Sequence, residues 1–328
     1  MNPTKNRLRD SKRDLPLQEK EQINTSKNSF LRNFKRELPL HLMILPGLIL
    51  VLVFSYTPMY GLIIAFQRFI PAFGMFGAQQ WVGLDNFTFV MNLAGFQRAF
   101  VNTVIIAFWR IVTVLLIPII FALLLNEVRS NLYRRTVQTI TYMPFFLSWV
   151  ILGGIFVDML SPSDGLVNSF LGLFGVDPIF FLGDNNIFRG TLVVTNVWRE
   201  FGFGAIVYLA AITSIDPTYY EAAVMDGANR WKQTWHITLP GMKMIIVLMG
   251  VLSLGNVLNA GFDQVFNMYS PVVFASGDII DTFIFRMGLI DAQFGPATAV
   301  GLFRSIISFL FISVSYFIAY KTTDYRIF

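Results

Sequence analysis

The stretch Tyr219-Tyr-Glu-Ala-Ala-Val-Met-Asp-Gly-Ala-Asn-Arg-Trp-Lys-Gln-Thr-Trp-His-Ile-Thr-Leu-Pro240 is polar, carries charges of both signs and lies between two long apolar runs. Its local grammar is that of a helical hairpin. Just ahead of it, Asp216-Pro217 pairs an N-capping side chain with a proline at the first helical position. Glu221-Ala222-Ala223 are good helix formers, and Gly227 is suited to close the turn in a left-handed conformation. Asn229 then caps a second short helix on which Trp231 and Trp235, four apart, share a face. Pro240 is expected to stop that helix. The whole reads as a compact helix–turn–helix held between two membrane spans.

The composition outside this stretch supports the membrane reading. The 328 residues are 55% hydrophobic and 14% charged, with a mean hydropathy of +0.58. A soluble domain carries about a quarter charged residues, so the chain is read as an all-α integral membrane protein. It has no cysteine, which excludes disulfides, thiolate chemistry and Cys-bound metals. His41 and His236 are too few for a histidine metal centre. Residues 1–37 hold ten Lys/Arg against five Asp/Glu, and the rest of the chain holds 15 of each, so the net charge of +5 belongs to the N-terminal tail. A cytoplasmic tail retained by the positive-inside effect explains this better than nucleic-acid binding. The first apolar segment starts near residue 38 and is too long for the core of a cleavable signal peptide.

A membrane domain over 38–328 is expected to follow, with six transmembrane helices. Leu38–Gln67 carries no Lys, Arg, Asp or Glu and is long enough to span with tilt, Pro46 and Pro58 marking kinks or ends. Phe69–Gln97 reads as an external loop, with an accidental sequon at Asn86-Phe87-Thr88. Ala99–Asn126, Thr136–Val157 (with Pro144 inside) and Gly190–Ile215 are the next three spans. Met244–Phe262 is a short fifth span broken by Gly250, Gly255, Asn256 and Asn259, and Phe294–Tyr320 is the sixth. With both termini cytoplasmic, the inner segments hold 18 of the 25 Lys/Arg. The outer segments hold Arg68, Arg98, Arg189 and Arg286, while Arg110, Arg199 and Arg304 lie within spans. That asymmetry puts residues 214–243 in the cytoplasm.

Glu221-Ala222-Ala223, three residues, Gly227, nine residues, then Ile237-Thr238-Leu239-Pro240 resembles in full the EAA motif of permease subunits in binding-protein-dependent ABC importers. Glu-Ala-Ala alone is ordinary helix sequence; its spacing to the glycine and to Ile-x-Leu-Pro makes the signal specific. Tyr56-Thr-Pro-Met-Tyr-Gly61, Trp81-Val-Gly-Leu-Asp-Asn-Phe87, Asn102-Thr103, Gly261-Phe-Asp-Gln-Val-Phe-Asn-Met-Tyr269 and Asp281-Thr282 look like the carbohydrate-uptake branch, of polysaccharide, aldouronate or alginate type. The resemblance covers about residues 38–328. It implies the type I ABC importer permease fold in a bacterial inner membrane, with residues 214–243 as a cytoplasmic coupling-helix loop. Glu221, Ala222, Ala223, Asp226, Gly227, Ile237, Leu239 and Pro240 are then the ATPase-coupling residues. It further implies a second, related permease subunit, two ATP-binding cassette subunits and an extracytoplasmic solute-binding protein. The sequence has no Gly-x-x-x-x-Gly-Lys-Ser/Thr loop, so ATP and Mg2+ are expected on the partner ATPases and no cofactor on this chain.

Charges inside spans are costly and suggest function. Arg110, Arg199-Glu200 and Arg304 each lie about ten residues in from one end of their span, roughly 15 Å deep at 1.5 Å per residue. They suggest one polar layer, serving either as substrate contacts or as ion pairs between spans and subunits. Trp198, Asn256 and Asn259 are further pathway candidates, for stacking and hydrogen bonding to a sugar. Three arginines against Glu200, the one carboxylate assigned to the spans, leave positive charge in excess. Together with the resemblance, this points to an anionic oligosaccharide such as a uronate. A neutral sugar or another polar solute is the alternative cargo. A membrane-embedded enzyme is disfavoured because no His-Glu-x-x-His, Gly-x-Ser-x-Gly or Gly-x-Gly-Asp is present. A secondary transporter is disfavoured because no repeat and no set of coupling carboxylates is visible.

Overall fold

The computed structural model describes residues 37–75, 77–255 and 258–323. The chain begins there with a long helix, α1, over Glu37–Phe66. A minimal antiparallel hairpin follows, β1 Gln67–Arg68 with β2 Gln80–Trp81. Next come α2 Asp85–Met91, α3 Ala94–Asn126, α4 Asn131–Tyr142, α5 Trp149–Met159, α6 Leu166–Gly172, α7 Phe188–Thr213 and α8 Pro217–Met225. The last elements are α9 Arg230–Gly255, α10 Phe262–Met268, α11 Ile280–Phe285 and α12 Phe294–Thr323. The described residues up to Leu62 and those from Ile63 onward form two units, and the cores described below lie in the second.

Among the described residues, four helices are long and apolar enough to cross a membrane: Glu37–Phe66, Ala94–Asn126, Arg230–Gly255 and Phe294–Phe317. Two bent pairs, Asn131–Phe146 with Trp149–Met159 at 104° and Phe188–Thr213 with Pro217–Met225 at 68°, raise the number to six if each is one span. The third span is therefore not the continuous helix expected over Thr136–Val157. Met143–Phe146 tightens to a 3-10 turn at Pro144, Leu147 is extended, and the Ser148 hydroxyl caps a new helix by accepting the Ile151 N–H at 3.4 Å.

Pro240 does not stop its helix either. Thr234–Thr238, separated from that proline by Leu239, form a wide π turn in which the Leu239 N–H reaches back to the Thr234 carbonyl. A proline ring clashes with the carbonyl four residues back, and a wide turn ahead of it removes that clash. Hence α9 starts at Arg230 and runs through Pro240, and the fifth span begins earlier than the Met244 expected. The same device precedes Pro58, where Leu52–Tyr56 is a π turn and the Thr57 N–H reaches the Leu52 carbonyl. The expected loop Phe69–Gln97 is also more ordered than its composition suggests. Phe66 stacks on Trp81 at 5.8 Å between ring centroids and tilts on Phe87 at 5.4 Å. The Asn86 amide donates to the Ala65 and Gln67 carbonyls, so the sequon nitrogen is already engaged.

Two of the packed cores share α3 and α7. The first contains Ile106 of α3, Phe188 and Leu192 of α7, Trp149 and Phe156 of α5, and Val265 of α10. The second contains Ile119 and Ala122 of α3, Ala205 and Leu209 of α7, and Met242 of α9. Residue numbers rise together along both helices from one core to the other, so α3 and α7 run parallel. Large apolar side chains point outward instead, as at Leu124 and Phe309. Lipid is as apolar as leucine, so helices associate by close packing and interhelical hydrogen bonds. The contacts accordingly use small residues. A Cβ at Gly202 of α7 would overlap the Thr141 carbonyl of α4, and one at Gly153 of α5 would press on Asn267 of α10. Gly202→Leu is expected to force α4 and α7 apart and destabilise the subunit by at least about 1–3 kcal/mol. Detergent unfolding titrations measure that loss, and an unchanged midpoint would show the contact to be loose.

Candidate functional site

Two regions bring the singled-out residues together. In the first, the Asp216 carboxylate accepts the Thr218 N–H at 2.9 Å and opens α8. At its other end Gly227 sits at φ 75°, with the Ala228 N–H on the Ala223 carbonyl at 2.8 Å and the Gly227 N–H on the Val224 carbonyl at 3.0 Å. This is the paired closure a left-handed glycine permits. The Asn229 side chain accepts the Lys232 N–H at 2.9 Å and starts α9. Further bonds fold the hairpin: Tyr220 to Thr238 between hydroxyls at 2.9 Å, and the Gln233 amide to the Ala228 carbonyl at 3.0 Å. Ile215 covers Gly241, which joins the two ends of the segment.

The hairpin is preformed and its tip is bare. Glu221, Ala222, Asp226 and Gly227 are exposed, Ala223 is half-buried, and Met225 is 87% exposed beside Val224, Tyr219, Trp231 and Trp235. The two tryptophan rings meet edge to face at 5.9 Å. Leu239 packs against the second core, Ile237 is half-buried and Pro240 is exposed. The residues ending the motif thus root the hairpin in the subunit, while Glu221–Gly227 is presented outward.

The Thr218 N–H holds the Asp216 carboxyl below its ordinary pKa. The cap therefore contributes fully above the ordinary carboxylate pKa and fades as pH falls through the lowered folded value. Amide-exchange protection of 217–225 is expected to drop on acidification and to lose that pH dependence in Asp216→Asn, which keeps the cap. Identical pH profiles would contradict this role.

The second region is a cavity of about 450 Å³ lined by Arg110, Trp149, Arg199, Asn259, Asp281 and Arg304, together with residues 261–264. The Arg110 guanidinium donates to the Ala260 carbonyl and to Asn196 Oδ1, both at 2.6 Å. Arg199 donates to the Leu147 carbonyl at 3.3 Å and the Phe145 carbonyl at 3.1 Å, with its guanidinium 5.1 Å from the Trp149 ring centre. Glu200 Oε1 lies 3.8 Å from Arg110 and 3.6 Å from Arg199. Arg304 of α12 is paired with Asp281 of α11. Asn259 accepts the Gly261 N–H at 3.2 Å. Asn256 lies outside the described residues.

This geometry corrects two expectations. Trp198 does not face this cavity; it meets Phe156 edge to face at 5.6 Å and lines a separate apolar cavity of about 610 Å³. The positive excess is also gone, because Asp281 and Asp263 join Glu200 among the three arginines. Sequence reasoning left Asp281 in an external segment, passed over Trp149, and quoted Asp263 and Gln264 in the stretch Gly261–Tyr269 without counting them as pathway candidates. Asn102, Thr103 and Thr282 are buried in another network, whereas Asp281 stays with Arg304 at the cavity. Asn102 donates to the Asp278 carbonyl at 3.0 Å, the Thr103 hydroxyl accepts the Ile280 N–H at 2.8 Å, and Asp278 takes both Arg286 nitrogens at 2.5 and 3.1 Å.

Known proteins place this architecture. The model of the family described as binding-protein-dependent transport system inner membrane component matches residues 114–324. Protein LplB of Bacillus subtilis strain 168 is 39% identical over 294 residues, covering 89% of this chain and 92% of that protein. The polygalacturonan/rhamnogalacturonan transport system permease protein YteP of the same strain is 40% identical over 282 residues, 86% of this chain and 88% of its own. Among solved structures, a chain of a bacterial ABC transporter involved in the import of the acidic polysaccharide alginate superposes with a TM-score of 0.83 at 38% identity, covering 90% of this chain and 99% of that one. A chain of the bacterial alginate ABC transporter in complex with alginate pentasaccharide-bound periplasmic protein gives 0.80 at 39% identity, covering 87% and 94%. With its helical hairpin, apolar helices and charged interior cavity, the chain belongs to the family of binding-protein-dependent transport system inner membrane components, as a permease of carbohydrate ABC importers.

Proposed function

We propose that the chain is the permease subunit of an ATP-driven importer of acidic, uronate-type oligosaccharides, with six spans of the type I fold and both termini in the cytoplasm. It works beside a second permease subunit, two ATP-binding cassette subunits that carry ATP and Mg2+, and an extracytoplasmic binding protein. The observation that carries the coupling role is the preformed hairpin 216–240, rooted by Leu239 and Ile215 and bare over Glu221–Gly227. Small residues at its tip allow close backbone approach to a partner, and Glu221 offers it a carboxylate. Closure of the ATPases would pull such hairpins together and turn the charged cavity toward the binding protein, and hydrolysis would return it to the cytoplasm.

The acidic cargo is supported by the two similar transporters named for polygalacturonan/rhamnogalacturonan and for alginate. It is not supported by net charge, since the arginines meet carboxylates. In the cavity, guanidinium groups of Arg110, Arg199 and Arg304 supply donors for carboxylates and hydroxyls, Asp263 and Asp281 accept from hydroxyls, and Trp149 offers a flat face to a sugar ring. Uptake into proteoliposomes holding the assembled complex tests the cargo. Uronate oligosaccharides are expected to be imported and neutral ones of the same length to compete poorly. Import of neutral sugars only would overturn it.

A further inference from the structure

The charged layer coincides with two breaks in the helices. Along α3 and α7 the first core ends near Ile106 and Leu192, and the second begins near Ile119 and Ala205. Arg110, Arg199 and Glu200 fall between them. At this level α3 and α7 are continuous, whereas the third span breaks between Phe146 and Trp149, and residues 258–261, just ahead of α10, are not helical. A break leaves backbone carbonyls without helical donors, and inside a membrane such groups need partners from the protein. Arg199 donates to two carbonyls at the first break, Phe145 and Leu147. Arg110 donates to Ala260 at the second. Glu200 Oε1 sits between these two guanidiniums at 3.8 and 3.6 Å, close enough to attract both but beyond hydrogen-bond length to either.

We infer that Glu200 is a positioning residue that ties the two breaks together, making the charged layer a hinge at which the bend of the third span and the stretch ahead of α10 move in step between the two cores. The inference rests on the transport reading above. A carboxylate shared by two arginines can shift toward one as the other is drawn away. Each arginine stays bonded to its own carbonyls throughout, so neither break has to open to solvent or lipid as the cavity changes sides.

The test uses the whole complex in proteoliposomes. Glu200→Gln is expected to assemble and to keep ATP hydrolysis stimulated by the loaded binding protein, while transport per ATP falls at least tenfold. Glu200→Asp should recover part of that ratio, and Glu200→Gln with Arg110→Gln should be no worse than the worse single variant. A purely structural role would lower assembly, hydrolysis and transport together and leave the ratio unchanged. Because the chain has no cysteine, spin labels at Ile140→Cys and Val150→Cys report on the third-span break directly. Their distance is expected to change between the resting and nucleotide-trapped wild type, and to lose that change in Glu200→Gln and in part in Glu200→Asp. A wild-type ratio in Glu200→Gln, or a wild-type distance that stays fixed, would overturn the inference even where the wild-type complex imports sugar. Failure of the wild-type complex to import would instead count against the transport reading.

Discussion

Replacing Gly261 with alanine is expected to abolish import and to lower the yield of folded subunit. Gly261 sits at φ 85°, in the left-handed region, which costs any other residue roughly 1–2 kcal/mol. Its added methyl would also overlap the Arg110 guanidinium. Driving Arg110 aside strands the Ala260 carbonyl and the Asn196 oxygen it now serves, at about 1–3 kcal/mol for each buried group. Even at the lower end these effects total about 3 kcal/mol, a factor of about 150 in the folding equilibrium. Thermal denaturation in detergent and uptake in vesicles measure the two consequences. A variant with both at wild-type level would mean that Arg110 is free to move and does not hold the break.

Asp281→Asn should be nearly as damaging, for an electrostatic reason. It removes the partner of Arg304, whose side chain is 28% exposed against 13% for Asp281. Breaking a buried pair by removing one member typically costs about 3–5 kcal/mol, because a charge is left uncompensated, while replacing both members by apolar groups is often neutral. Asp281→Leu with Arg304→Met is therefore expected to regain the stability lost in the single variant. The same double variant separates the two readings of the pair. If Arg304 contacts the cargo, stability returns but uptake does not; if the pair only joins α11 to α12, both return. A double variant no more stable than Asp281→Asn would show that the pair is not the source of the loss.

The helical hairpin 216–240 was legible in the sequence because everything that shapes it is local. Asp216, Gly227 and Asn229 act on backbone groups within five residues, so their spacing alone specifies where helices start and end. Pro240 misled for a local reason too: the π turn that admits it forms from ordinary residues and has no composition signal. The third-span break did have one, since Pro144 is followed by Ser148, a capping residue ahead of Trp149. Depth along a span was also readable, and it placed Arg110, Arg199, Glu200 and Arg304 near one level. What spacing does not encode is which segment folds back against that level. Asp281 reads as external because the segment 263–293 that holds it also carries Asp278, Arg286 and Asp291, yet it pairs with Arg304, 23 positions away. Trp149 was hidden in an apolar run, and only the bend at Leu147–Ser148 turns it onto Arg199. The charge balance of the cavity, and with it part of the argument for an acidic cargo, changed for the same reason.

The coupling role at the centre of the proposed function is open to one direct measurement. The chain lacks cysteine, so Ala222→Cys places a single reactive thiol at the exposed tip of the hairpin. In the assembled complex, a short cross-linker on that thiol is expected to capture the ATP-binding subunit, with a yield that changes when nucleotide is trapped. Capture of only the extracytoplasmic binding protein, or no capture of the ATP-binding subunit in a complex that still transports, would contradict it.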